Sequence, residues 1–163
     1  MQGKLYLVAT PIGNLDDITL RAIKVLKESD LIAAEDTRHT LKLLNHLEIK
    51  KPLISYYKEN EIIKSEVLIE KLLEGKNIAL VSDAGTPAIS DPGSVVVKRA
   101  IEEKIEVVPI PGACALINAL ITSGINTQEF SFLGFLPVNK KEKREKLNNL
   151  KEEKRTLIFY EAP

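Results

Sequence analysis

The sequence has one cysteine, no tryptophan and no apolar run near the roughly 20 residues that a membrane-spanning helix requires. The single thiol, Cys114, excludes an internal disulfide framework, and its neighbours form no thiol or metal motif. The N-terminal stretch enters a strand pattern without the charged and apolar regions of a signal peptide. These absences indicate a cytoplasmic globular protein without a membrane partner.

Motifs for phosphates, metals and common nucleophiles are missing as well. Neither G-x-G-x-x-G nor G-x-x-x-x-G-K-[ST] follows the first strand pattern, which disfavours phosphate cradling. The two histidines, His39 and His46, lack a nearby Cys or carboxylate cluster, so no metal site is predicted. We interpret His39 as a helix-surface residue and Cys114 as a packing or backbone-contact residue.

The charges balance overall but not locally. The 23 Lys and Arg residues equal the 23 Asp and Glu residues, which argues against non-specific nucleic-acid binding over the whole surface. Residues 1–139 carry 15 basic and 18 acidic side chains, whereas residues 140–163 carry 8 and 5. That stretch is either a solvated helix face or a place where contact with RNA could begin.

Short β-rich runs alternate with helical patterns along the chain. Such alternation predicts an α/β fold with a mostly parallel sheet flanked by helices. The predicted strands are Lys4–Ala9, Leu31–Ala34, Leu53–Tyr57, Asn77–Ser82, Ile105–Ile110, Phe130–Leu136 and Thr156–Tyr160. The predicted helices are Asp16–Glu28, a turn or more around Leu41–Leu47, Ile62–Glu74, Ser94–Glu103, Ala113–Ser123 and Lys140–Lys154.

The character of the sequence changes near Gly124–Gln128. We expect an N-terminal α/β domain over residues 1–124 and the beginning of a second α/β domain over residues 125–163. The second segment is too short to bury a core of its own. It ends just after a strand pattern, so we expect the second domain to be only begun here.

Glycine and proline are concentrated in the loops that follow the predicted parallel strands. In an open parallel sheet, ligands bind at the carboxyl ends of the strands. Gly and Pro allow backbone geometries that bring main-chain N–H and C=O groups close to a ligand. The loops concerned are Thr10–Asn14, Glu35–Arg38, Ser82–Pro87 with its extension Ser90–Gly93, and Pro111–Ala115. We therefore predict a ligand site at this edge.

The polar loop Glu35–Arg38 has two interpretations. It can be a helix N-terminal cap with an Asp–Arg ion pair. Alternatively it can face a substrate, with Arg38 holding a phosphate and a carboxylate taking a proton. The sequence leaves both open.

These loops together resemble those of the tetrapyrrole methylase superfamily, in particular the branch that methylates ribosomal RNA. The matching blocks follow one another in order over essentially the whole chain. They are Leu5–Leu15 with Asp17–Thr19 and Arg21-Ala22, Glu35–Arg38, Ser82–Pro87, Ile89–Gly93, Pro111–Ala115, Gly134–Pro137 and Thr156–Pro163. Precorrin methylases of the superfamily have a glycine-rich first loop ending in Gly-Asp, whereas this chain has Thr-Pro-Ile-Gly-Asn and adds Glu-Asp-Thr-Arg.

The resemblance implies a homodimeric enzyme of two α/β domains that uses S-adenosyl-L-methionine as methyl donor, without a metal. It implies transfer of the methyl group to the ribose 2′-hydroxyl of a cytidine in 16S rRNA, the RNA of the small ribosomal subunit. The positions that correspond to donor-contacting segments are Ile12, Gly85, Thr86, Ile89, Cys114, Ala115 and Tyr160.

The candidates for the chemistry itself come from position and residue type. Glu35 or Asp36 is the candidate polar partner of the reacting hydroxyl, and Arg38 the candidate phosphate clamp. Asp83 is a weaker candidate because it could simply brace its loop, and Asn14 could orient the ribose. Two alternatives remain open: carbon methylation of a tetrapyrrole such as a precorrin, and a non-catalytic fragment that binds ligand or RNA.

Overall fold

The computed structural model describes residues 1–161 and divides the chain into two compact units. The first unit is Met1–Cys114, and the second begins at Ala115. The domain boundary after Gly124 stays a prediction, while helix Ala115–Thr122 belongs to the second compact unit. One reason is that this helix is tied to the strand Thr156–Tyr160, since the Leu116 N–H donates to the Tyr160 hydroxyl at 3.1 Å. Whether the two units are independent domains stays a prediction.

The predicted α/β fold class is confirmed. The strands are β1 Leu5–Val8, β2 Leu31–Ala34, β3 Leu53–Ser55, β4 Ile78–Val81, β5 Val107–Ile110, β6 Phe130–Phe135 and β7 Thr156–Tyr160. The helices are α1 Leu20–Glu28, α2 Thr37–His46, α3 Glu61–Leu73, α4 Ser94–Glu102, α5 Ala115–Thr122 and α6 Lys140–Asn149. No helix within residues 1–161 combines the length and apolarity needed to cross a membrane.

The helix predicted over Asp16–Glu28 is split in two, and side-chain caps explain the break. A short 3-10 helix, Leu15–Asp17, begins where the Asn14 side chain accepts from the Asp16 N–H. The α-helix α1 begins again at Leu20, because the Thr19 hydroxyl accepts from the Ala22 N–H at 3.1 Å. Side-chain acceptors at such positions satisfy donors that a helix start leaves free.

The first unit is built on a five-stranded sheet in the order β3-β2-β4-β1-β5. All of its strand pairs are parallel. In the second unit β6 and β7 form a two-stranded sheet, also parallel. Parallel pairing places the carboxyl ends of β1 to β5 along one edge of the sheet.

The two faces of the five-stranded sheet are covered by different helices. Helices α1 and α2 pack on one face with Val8, Ile32 and Val81. Helices α3 and α4 pack on the other face with Leu5 and Leu80. Each strand alternates between the two clusters, as the two-residue period of a strand requires. The central strand β4 is buried along its whole length.

Candidate functional site

The site edge is organised around the carboxyl end of β4. The helix after β4, α4, packs on the face opposite to α1 and α2, which follow the neighbouring strands β1 and β2. Chains that leave adjacent parallel strands toward opposite faces open a crevice at that point. The loop Ser82–Pro87 therefore lies where such folds bind ligands.

The loops after β1 and β4 are joined through their main chains. The Thr10 N–H donates to the Gly85 carbonyl at 2.9 Å, and the Gly85 N–H donates to the Thr10 carbonyl at 3.0 Å. Gly85 has a φ of 87°, and a Cβ atom there would lie 3.3 Å from Cγ2 of Ile12. Two predicted donor contacts, Ile12 and Gly85, are thus neighbours.

The loop after β5 joins the same arrangement. The Thr86 hydroxyl donates to the Ala113 carbonyl at 3.0 Å, next to the half-buried Cys114. The carbonyl of Ala113 also lies 3.6 Å from the position of a Cβ on Gly85. Thr86 and Cys114, two further predicted donor contacts, therefore lie beside the Gly85 turn.

The segment that leads into α4 has an unusual backbone. Ala88 and Ser90 have φ values of 66° and 62°, in the left-handed region that residues with a Cβ seldom adopt. Ile89, a predicted donor contact between them, is 40% exposed. Gly93 has no room for a side chain, because its Cβ would lie 2.9 Å from the Cβ of Ala88. Strained backbone of this kind is found preferentially at ligand sites.

The remaining predicted donor contacts, Ala115 and Tyr160, belong to the second unit. Ala115 is the first residue of α5, and Tyr160 is the last residue of β7. Phe132 and Phe135 pack against the Tyr160 ring, with centroid distances of 4.8 and 5.7 Å. The N–H of Leu116, the residue after Ala115, donates to the Tyr160 hydroxyl. This hydrogen bond connects the start of α5 with the end of β7.

The structure shows the capping arrangement at Glu35–Arg38. Asp36 is the N-cap of α2 and accepts from the Arg38 N–H at 2.8 Å. It also accepts from the Arg38 guanidinium at 3.1 and 2.7 Å. This hydrogen-bonded pair holds the pKa of Asp36 well below its usual range. Asp36 is therefore poorly suited to take a proton, while the Arg38 side chain is 89% exposed and accessible to a ligand.

Glu35 has the opposite electrostatic environment. Burial, together with the nearby Asp83 and Asp91 carboxylates, raises the pKa of Glu35 above its ordinary value. Oδ1 of Asp83 accepts from the Asp36 N–H at 3.0 Å, and the Asp83 N–H lies 3.5 Å from Oε2 of Glu35. Asp83 thus braces the loops after β2 and β4, as one interpretation of the sequence held. A carboxylate with a raised pKa is the better proton acceptor.

A cavity of about 200 Å³ beside Glu35 was not predicted from the sequence. Its polar lining comes from Glu35, Lys58, Glu61, Ser90, Asp91 and Ser94. Lys58 and Glu61 follow β3, so the rule that carboxyl ends of parallel strands share an edge could have included them. Their sequence, however, is that of an ordinary charged helix start. Within residues 1–161 no group of three or more His, Cys, Asp or Glu side chains is arranged to hold a metal ion.

Comparison with known proteins gives the family. The model of the Tetrapyrrole (Corrin/Porphyrin) Methylases matches residues 4–163. The chain belongs to this family. The chain is 59% identical over 162 residues to a ribosomal RNA small subunit methyltransferase I of Halalkalibacterium halodurans, covering 99% of the chain and 56% of that relative. It is 57% identical to the protein of the same name from Haemophilus influenzae, covering 99% of the chain and 57% of that relative.

The chain thus spans little more than half the length of these relatives. Among solved structures, diphthine synthase matches with a TM-score of 0.73 at 16% identity, over 99% of this chain and 66% of that chain. Uroporphyrin-III C-methyltransferase from Thermus thermophilus, complexed with S-adenosylhomocysteine, matches with a TM-score of 0.59 at 19% identity, over 83% and 60% of the two chains. At these identities the likeness concerns the fold.

Proposed function

We propose that the protein containing this chain transfers a methyl group from S-adenosyl-L-methionine to the ribose 2′-hydroxyl of a cytidine in 16S rRNA. The names of the relatives support the RNA substrate, and the complex of the Thermus thermophilus enzyme supports the donor. The single observation that carries the proposal is the main-chain pairing of Thr10 with Gly85 at the carboxyl end of β4. It joins the loops after β1 and β4, and the hydrogen bond from Thr86 to the Ala113 carbonyl adds the loop after β5 to the same surface.

The donor's place is assigned to that surface. The contacts would come from backbone groups and small side chains, which suit a ligand that is neither a phosphate nor a metal. The residues concerned are Ile12, Gly85, Thr86, Ile89 and Cys114. Ala115 and Tyr160 in the second unit stay sequence-based candidates for donor contact. S-adenosylmethionine supplies an activated methyl group on a sulfonium when bound, so the protein's main task is alignment.

The reaction balances without a further co-reactant. The ribose oxygen forms a bond to the methyl carbon while the carbon–sulfur bond breaks, and sulfur keeps that electron pair as a neutral thioether. The hydroxyl proton passes to the carboxylate of Glu35, whose raised pKa suits this role. Asp36 is a positioning residue that holds Arg38, and the exposed guanidinium of Arg38 contacts an RNA phosphate. The side-chain oxygen of Asn14 accepts from the Asp16 N–H, and Asn14 stays the candidate for orienting the ribose.

The setting follows from the same proposal. An enzyme acting on 16S rRNA works in the cytoplasm on the small ribosomal subunit. We also retain the homodimer that the family resemblance implies.

A direct test uses the whole protein, small ribosomal subunits and S-adenosylmethionine with a labelled methyl group. Replacing Glu35 by Gln is expected to lower kcat by about 10²–10⁴-fold, because a general base typically contributes that much. Donor affinity, measured by calorimetry, should stay unchanged. Glu70→Gln, on the exposed side of α3, is the matched control.

Three outcomes contradict the proposal in different places. Full activity of Glu35→Gln removes Glu35 from the chemistry. Methylation of a precorrin but not of the ribosomal subunit shows a carbon methyltransferase instead. Absence of donor binding by the whole protein overturns the methyltransferase assignment.

A further inference from the structure

The cavity beside Glu35 lies at the same sheet edge as the proposed donor surface, yet the proposed function uses only one of its walls. Its lining comes from three parts of the chain: the loop after β2, the segment Lys58–Glu61 after β3, and the segment Ser90–Ser94, which leads into the first residue of α4. At about 200 Å³ it has room for a single small ring, not for a helix or a duplex.

Several polar groups in this cavity have no hydrogen-bond or ion-pair partner within the described residues. The Lys58 ammonium, the Glu61 carboxylate and the Ser90 and Ser94 hydroxyls make no hydrogen bond or ion pair among residues 1–161. Helices α3 and α4 both begin at the cavity, and neither has a side-chain hydrogen bond at its N-cap. The cavity therefore presents donors and acceptors that are available to a ligand.

The N-cap residue of α3 shows why its donors stay available. The Asn60 side chain accepts from the Tyr57 N–H at 2.8 Å and donates to the Ser55 carbonyl at 3.3 Å. It fixes the loop that carries Lys58 instead of capping the helix. The Lys58–Glu61 wall is thus held in place by the backbone of its own loop.

The charges of the lining select the class of ligand. Glu35, Glu61 and Asp91 outnumber the one cation, Lys58, so a phosphate would be repelled. A neutral ring with donors and acceptors on one edge fits better. Carboxylates accept hydrogen bonds from the exocyclic amine of cytosine. The ammonium and hydroxyl groups can donate to its ring nitrogen and carbonyl oxygen.

Resting on the proposed function, we propose that this cavity takes the base of the nucleotide to be methylated, turned out of the RNA stack. Glu61 accepts from the cytosine amine, and Lys58 donates to the base carbonyl oxygen. Enzymes that must reach an atom of a stacked nucleotide commonly hold the displaced base in a pocket and bind its pairing edge. Glu35 at the cavity wall then lies next to the ribose of the same nucleotide.

Two substitutions in the whole protein separate the two contacts. The substrates are small ribosomal subunits with cytidine or uridine at the target position. The wild-type protein is expected to prefer cytidine by about 10–100-fold in kcat/KM, the usual range for one well-formed base contact. Glu61→Gln should bring this ratio close to one, because an amide can donate to the carbonyl that uracil has in place of the amine. Lys58→Met should raise KM for both RNAs alike. The carbonyl that Lys58 is proposed to contact is the one that cytosine and uracil have in common.

Glu59→Gln is the matched control, because Glu59 is exposed and not part of the lining. Its cytidine-to-uridine ratio should equal that of the wild type. The ratio is measured within one preparation, so partial unfolding of a variant lowers both rates and leaves it unchanged. Donor affinity should be the same in all variants.

The possible failures are distinguishable. If the wild-type protein methylates neither RNA, the proposed function fails. If it methylates cytidine but Glu61→Gln keeps the wild-type ratio and Lys58→Met keeps the wild-type KM, the base pocket is overturned while the function stands. A loss of donor affinity in these variants would instead assign the cavity to the donor and also overturn the base pocket.

Discussion

The brace formed by Asp83 can be tested by a pair of substitutions that differ in one respect. Asp83→Ala removes the oxygen that accepts from the Asp36 N–H at 3.0 Å. Asp83→Asn keeps an oxygen at the same place and removes only the charge. If the hydrogen bond is what connects the loops after β2 and β4, the alanine variant should lose stability and the asparagine variant should not.

The size of the loss follows from the environment of the bond. A hydrogen bond to a charged group contributes about 1.5–3 kcal/mol to the free energy of unfolding. Asp83 and Asp36 are only half-buried, so water replaces part of the interaction in the alanine variant. We expect Asp83→Ala to lower the free energy of unfolding by about 1–2 kcal/mol and Asp83→Asn by less than about 0.5 kcal/mol.

Urea unfolding followed by far-ultraviolet circular dichroism measures both variants, since the chain has no tryptophan for fluorescence. The slope of the free energy against urea should be unchanged, because no additional surface is exposed. Equal destabilisation of the two variants would refute the brace and point to the charge instead. Wild-type stability of Asp83→Ala would refute it as well.

The contact between Asp83 and Glu35 also makes stability and activity depend on pH. The pKa of Glu35 in the folded protein is raised above the unfolded value, by burial first and then by Asp83. Between these two pKa values the folded state holds more protons than the unfolded state, so stability decreases as pH rises through this window. Asp83→Asn removes a charge that raises the pKa of Glu35, so the folded and unfolded pKa values of Glu35 should lie closer together. The acidic limb of the pH profile of methyl transfer should then shift to lower pH. An unchanged limb would mean that Glu35 is not the group that titrates.

Substitutions at three further places in the fold test other contacts. Gly85→Ala should cost about 1–2 kcal/mol, because a Cβ is unfavourable at φ 87°, and should weaken donor binding in calorimetry. Tyr56→Phe and Ser65→Ala should each cost about 1–3 kcal/mol in urea unfolding, since their 3.0 Å hydrogen bond is buried, while the double variant should cost little more than one of them. Arg38→Ala should leave the free energy of unfolding nearly unchanged and reduce the salt slope of RNA binding by about one.

The type and order of the elements could be predicted from local patterns. Apolar spacing identified α1, α3 and α4, and short β-rich runs identified every strand of the five-stranded sheet. The position of β4 between β1 and β2 could not be predicted in this way. It depends on which helix covers which face, and this is decided by packing between segments far apart in the chain.

The candidate site was predictable to the level of loops. Without any knowledge of strand order, the edge rule for parallel strands selected loops that the structure places at one edge of the sheet. The roles of single residues were less accessible, because Asp36 and Glu35 are adjacent and chemically alike in sequence. The pKa of Asp36 is lowered because the Arg38 guanidinium pairs with it. The pKa of Glu35 is raised, mainly because its carboxylate is partly buried.

The strand order also explains how one short loop serves two groups of residues. Because β4 lies between β1 and β2, the loop Ser82–Pro87 has the Thr10 loop on one side and the Glu35 loop on the other. Asp83 is hydrogen-bonded to Asp36, whereas Gly85 is hydrogen-bonded to Thr10. One residue, Ala84, separates Asp83 from Gly85, so both connections start within three consecutive residues. Inserting one residue between Asp83 and Gly85 would break one of these two connections. The proposed donor surface would then be separated from Glu35, the proposed proton acceptor.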